Sequence, residues 1–138
     1  MLATRWQRDK MPLARIAVNI SGVQLLQQDF IQQVQRIFVE TGVDTATIEL
    51  ELTESWMMQD LAQSAAALQS LKALGVRIAI DDFGTGYSSL AYLSRLPVDV
   101  LKIDRSLIVD LESNINTQSL VSNICRMAHA MHVEVVVE

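Results

Sequence analysis

Apolar positions along the chain follow two spacings. Short runs rich in β-branched residues fall at Ile16–Ile20, Thr47–Leu52, Val76–Ile80, Val100–Ile103 and Val133–Val137, and predict five strands. Between them apolar residues recur at helical spacing. Phe30, Ile31, Val34, Ile37 and Phe38 form one stripe, with Asp29 as its N-cap and Gly42 closing it. Leu61, Ala65, Leu68, Leu71 and Leu74 form a second that ends at Gly75. Leu120, Ile124, Met127, Ala128 and Met131 form a third, after the polar stretch Ser113–Ser119. A shorter helix is predicted after Ser88.

Strands alternating with helices imply right-handed crossovers and an α/β fold with a parallel sheet, either doubly wound or part of a (β/α) barrel. Polar residues collect at the carboxyl ends of the strands, the face on which barrels place their chemistry, and this favours the barrel. A complete TIM barrel takes roughly 250 residues. The 138 residues therefore predict a partial TIM-type barrel of five strands, one domain over residues 1–138. Leu2 and Trp6, at i and i+4, read as the last turn of a helix begun upstream, and Glu138 lies directly on a strand, so both ends are expected to continue in a longer domain.

Composition narrows the partners. Eleven Lys and Arg against sixteen Asp and Glu give a formal charge of −5, with no basic block to track a phosphate backbone, which excludes duplex nucleic acid. Acidic chains still take phosphate ligands when cations stand between them. The longest apolar runs, Ala65–Leu68 and Leu90–Leu93, are four residues long, far short of the roughly 20 a membrane helix needs. No membrane contact is expected from this segment. The single cysteine, Cys125, reads as a buried small hydrophobe, and the chain reads as cytoplasmic, alone or as the cytoplasmic part of a larger membrane-anchored protein.

Read to their carboxyl ends, the strands converge on a few residue types: Asn19, then Glu49, Glu51 and Glu54, then Asp81 and Asp82, then Lys102 and Asp104, then Glu138. Clustered carboxylates repel one another, so a set aimed at one point calls for cations, and oxygen donors suit magnesium, manganese or calcium. Each residue also has a plainer reading. Glu49 and Glu51 alternate with Leu50 and Leu52, as on the solvated face of a half-buried strand. Asn19 could cap a turn, and Asp81-Asp82 before Gly84 could be turn chemistry. Lys102, between Leu101 and Ile103, would then salt-bridge Asp81 or Asp82. His129 and His132 lack companions at metal-site spacing and read as structural or exposed, and the methionines as core filling.

The run Asp82-Phe83-Gly84-Thr85-Gly86-Tyr87-Ser88-Ser89-Leu90 after Asp81 resembles the EAL family of bacterial cyclic di-GMP phosphodiesterases. The other motifs follow in the family's order: VNISGVQL from Val18, ELTES from Glu51, LPVDVLKIDRS from Leu96, and VVVE at the end. The resemblance implies a modified TIM barrel and a two-metal site using Mg²⁺ or Mn²⁺. It implies that Asn19, Glu51 and Asp81, with the glutamate of the family's signature as a further ligand, hold one ion and Asp81, Asp82 and Glu138 the other. Lys102 resembles the lysine near the attacking water, and Glu54 the residue anchoring the loop Phe83–Ser89, which also contributes to dimer contacts in the family. The family's Glu-Ala-Leu signature is expected upstream of Met1, and a glutamine downstream of Glu138. The implied activity is hydrolysis of cyclic di-GMP to linear pGpG by a homodimer. The alternative is an EAL-like module that binds cyclic di-GMP or a protein partner without turnover. Val137 stands where the family usually has alanine, and His132 where glycine is common.

Overall fold

The computed structural model describes residues 15–84 and 90–138. Its strands are β1 (Ile16–Asn19), β2 (Ile48–Thr53), β3 (Arg77–Phe83), β4 (Val100–Ile103) and β5 (Glu134–Val137). They pair in chain order, and every pairing is parallel. A doubly wound sheet reverses its strand order at a switch point; this one does not, and it curves as the wall of a partial TIM-type barrel. Helices α1 (Gly22–Leu25), α2 (Phe30–Thr41), α3 (Glu54–Met57), α4 (Leu61–Lys72) and α5 (Ile115–Ala130) fill the crossovers, with 3₁₀ turns at Thr45–Thr47, Leu90–Arg95 and Arg105–Leu107.

The core lies between the sheet and its helices. Leu50 and Leu52 of β2, Ile78 and Ile80 of β3, and Leu101 and Ile103 of β4 are buried in one cluster with Leu68 and Leu71 of α4 and Ile124 and Ala128 of α5. Each such side chain contributes about 1.5–3 kcal/mol by leaving water. The opposite face of the sheet carries the alternating residues, including Glu49, Glu51 and Lys102, and faces the barrel interior. Among the described residues, no helix is long and apolar enough to cross a membrane.

Helix ends follow local chemistry more than apolar stripes. Gly42 closes α2 at φ 62°, its N–H donating to Phe38 O at 3.0 Å. Asp29 occupies the expected N-cap position but makes no side-chain cap. Its backbone is already helical (φ −99°, ψ 0°), whereas a capping side chain needs the extended conformation that Asp60 adopts before α4, where it accepts the Gln63 N–H at 3.0 Å. The third long helix starts at Ile115 rather than Leu120. Asn114 caps it by accepting from the amides of Asn116 and Thr117, which draws the polar stretch into the first turn. The short helix expected after Ser88 is the 3₁₀ segment Leu90–Arg95.

Cys125 is exposed, contrary to expectation, because Ile124 and Ala128 take the buried side of α5 and the next position turns outward. His132 enters β5 at φ 59°, a left-handed conformation that explains why glycine suits this position. The helix end expected at Leu2 and Trp6, and residues 85–89 of the loop after β3, lie outside the described residues.

Candidate active site

Parallel pairing puts every strand's carboxyl end at one rim. The register sets Asn19 beside Glu51, Thr53 beside Asp81, and Lys102 beside Val136. Glu49 and Glu51 do not lie on a solvated face: each is 7% exposed, as is Lys102. The lysine ignores the expected partners Asp81 and Asp82. Its ammonium donates to Glu51, sits 3.1 Å from Glu138 Oε1, and approaches Glu49 Oε1 at 3.5 Å. A long side chain rising from the interior face of β4 reaches across to β2 and to the end of β5, while the β3 acids turn up toward the rim. Toward the amino ends of the strands, Arg77 continues the alternation of charge, lying 3.8 Å from Glu49 and 2.8 Å from Glu134.

The rim carboxylates of β3 come from a break in regularity. Ile80 pairs with Leu101 and Phe83 with Ile103, so Asp81 and Asp82 together face the single residue Lys102. This is a β-bulge, and its second residue, Asp82, adopts φ 55°, a left-handed conformation uncommon outside glycine. The Asp82 N–H donates to Asp81 Oδ1 at 2.9 Å, bonding the turn to its own side chain. Without the bulge, successive side chains would point to opposite faces of the sheet.

Negative charge accumulates at this rim. Partial burial, and then the charges of Asp81, Asp104 and Glu138, raise the pKa of Asp82 above the usual carboxylate value. For Lys102, burial alone would favour the neutral amine, but hydrogen bonds and charges from Glu51 and Glu138 outweigh it and hold the group well above the ordinary lysine range. The donor set is therefore all oxygen and short of positive charge, which fits hard divalent cations. Among the described residues no three His, Cys, Asp or Glu side chains already converge as a finished cage. The Lys102 ammonium instead lies between Glu51 and Glu138.

The EAL domain family model matches residues 2–138. The chain belongs to the EAL domain family. This EAL domain is 41% identical over 124 residues to the cyclic di-GMP phosphodiesterase NbdA of Pseudomonas aeruginosa, covering 90% of this chain and 16% of that protein. It superimposes on the EAL domain of Mycobacterium smegmatis DcpA with a TM-score of 0.85 at 38% identity, over 98% of this chain and 61% of the other. On the PaMucR phosphodiesterase in complex with c-di-GMP the TM-score is 0.86 at 38% identity, over 99% and 60%. The chain thus spans about a sixth of the curated relative and about three fifths of the solved chains.

Around the rim of this EAL domain, three further residues set the geometry. Glu54, the first residue of α3, is 5% exposed and carries two contacts: the Tyr92 hydroxyl donates to Oε1 at 2.6 Å, and the Gly84 N–H to Oε2 at 3.2 Å. Trp56 lies directly on Gly22, where an added methyl group would fall 1.6 Å from its ring. Asp104 accepts the Ser106 N–H at 2.7 Å, and hydrogen bonds from the Ser106 side chain and backbone pull its pKa down. His129 and His132 are exposed, away from the rim. Tyr92 was invisible as a site residue in sequence because it lies in the apolar run Leu90–Leu93 and reads as core.

Proposed function

We propose that this EAL domain hydrolyses cyclic di-GMP to linear pGpG at the carboxyl rim of its barrel wall. The observation that carries the reading is the convergence of Glu51, Lys102 and Glu138 at the same rim as the Asp81-Asp82 bulge, in a chain of this family. Asn19, Glu51 and Asp81 would hold one Mg²⁺ or Mn²⁺, and Asp81, Asp82 and Glu138 the second. Such a pair of ions, when bound, polarises a phosphodiester and makes water a nucleophile at neutral pH.

The chain's own residues do the rest. Asp81, beside Asp82 on the bulge, would belong to both sets of ligands. The Lys102 ammonium donates to the attacking water or to a phosphate oxygen, stabilising charge that builds up during in-line displacement of the 3′ oxygen. Glu54 fixes the backbone just beyond the bulge. No side chain acts as a nucleophile.

The test is turnover of cyclic di-GMP by the purified chain in Mn²⁺, followed by chromatography of the product, beside Glu51→Ala. Formation of pGpG by the wild type and its loss in the variant is the expected result. Equal turnover by both would refute the assignment.

A further inference from the structure

Glu54 is unusual among the buried charges of this domain. Glu51, equally buried, faces the Lys102 ammonium, while the ion pairs among the described residues include none to Glu54. Its charge is met by neutral donors, the Tyr92 hydroxyl at 2.6 Å and the Gly84 amide at 3.2 Å. The Tyr92 bond is the shorter, and both of its partners are buried, Glu54 at 5% and Tyr92 at 4% exposure. A carboxylate enclosed in this way holds its orientation only while its donors hold it.

The two donors come from opposite sides of one stretch of chain. Gly84 follows Phe83, which closes the bulge that carries Asp81 and Asp82, and Tyr92 lies in the 3₁₀ segment Leu90–Arg95. Gly84 sits at φ 92° with the Leu107 side chain 2.8 Å from where a Cβ would be, so its position leaves little slack. The carboxylate therefore acts as a clamp with one jaw on the exit of β3 and the other on the buried tyrosine. Burial and the neighbouring Glu54 raise the phenol's pKa well above its usual value, which keeps the hydroxyl a donor.

We propose that Tyr92 is a positioning residue for the rim: its hydroxyl locks Glu54 onto the Gly84 amide and thereby fixes the bulge that presents Asp81 and Asp82 to divalent cations. This rests on reading those two carboxylates as cation ligands. Tyr92 touches neither ion nor substrate; it acts through Glu54 and Gly84. Outer partners that orient metal ligands typically account for a factor of about 10–100 in affinity.

The experiment is calorimetric titration of the purified chain with Mn²⁺, alongside thermal unfolding in EDTA, for wild type, Tyr92→Phe, Tyr92→Met and Asp81→Asn. The expected result is Mn²⁺ binding by the wild type, its loss in Asp81→Asn, and affinity about tenfold weaker in both hydroxyl-free variants while they stay folded. Loss in Asp81→Asn together with wild-type affinity in Tyr92→Phe would overturn the role of Tyr92 and leave the cation site standing. Equal binding by wild type and Asp81→Asn would instead overturn the cation reading itself. Weakening in Tyr92→Met alone would assign the effect to packing and refute the proposal. Failure of both Tyr92 variants to fold would assign the hydroxyl to the fold and refute it too.

Discussion

Lys102→Met removes one charge and keeps most of the side chain's length. In the wild type that charge sits beside two carboxylates, Glu49 and Glu51, each 7% exposed, and beside Glu138, whose side chain is 52% exposed. At the 3.5 Å separation from Glu49, one such pair is worth about 5 kcal/mol at an effective dielectric of about 20, before the cost of desolvation. Removing one partner of a buried pair typically costs about 3–5 kcal/mol, because the remaining charge is left stranded. Glu138 can turn to water, which places this case at the lower end, about 3 kcal/mol. For a chain of this length that corresponds to a fall of roughly 10 °C in the unfolding midpoint. The assay is thermal unfolding by circular dichroism, in EDTA and again in Mn²⁺. In EDTA the full drop is expected; in Mn²⁺ it should shrink, because a divalent cation supplies the positive charge that Glu51 and Glu138 have lost. An unchanged midpoint in EDTA would refute the electrostatic account. A drop just as large in Mn²⁺ would refute the exchange of ammonium for metal.

Two further predictions concern the frame around the rim. Asp99 accepts Lys72 Nζ through both oxygens, at 2.9 and 2.8 Å, and the Ile78 N–H at 2.8 Å, tying the end of α4 to β3 and the entry of β4. Asp99→Ala should cost about 2 kcal/mol, since it leaves a half-buried ammonium and an amide without their acceptor; a urea midpoint equal to wild type would contradict this. Gly22→Ala forces Trp56 off the backbone it covers, and overpacking of this kind costs about 1–3 kcal/mol. In a Trp6→Phe background, Trp56 emission should shift to the red, and an unshifted spectrum would show that the ring accommodates the methyl group.

What the sequence disclosed depended on whether the signal was local. Short β-branched runs marked all five strands to within about one residue at each end, because burial against helices demands β-branched and aliphatic residues there; the exception is the carboxyl end of β3, which runs on through Asp81 and Asp82 to Phe83. Helix starts were less legible. Ser113–Ser119 looked like a loop, and only the capping geometry of Asn114 shows that the helix includes it from Ile115 onward. At the rim, the residue types were readable from strand ends, but their partnerships were not. Rim order pairs Lys102 with the adjacent acids Asp81 and Asp82, whereas distance in space selects Glu51 and Glu138. Glu49, which alternation reads as solvated, is buried because its face points into the barrel interior. The contact between Tyr92 and Glu54 spans 38 positions and leaves no periodic trace.

A regular strand spends every second side chain on the far side of its sheet, so each strand offers a rim roughly one ligand. The bulge at Asp81-Asp82 lifts that ceiling by inserting a single residue, with one backbone torsion at φ 55°. The density of donors here is thus a property of the main chain before it is one of the side chains. Deleting Asp82 would restore an ordinary ladder and halve what β3 contributes, while an asparagine at that position would keep the kink and discard only the charge. The same one-residue device could be transplanted to another parallel barrel in which two neighbouring carboxylates are wanted from a single strand end.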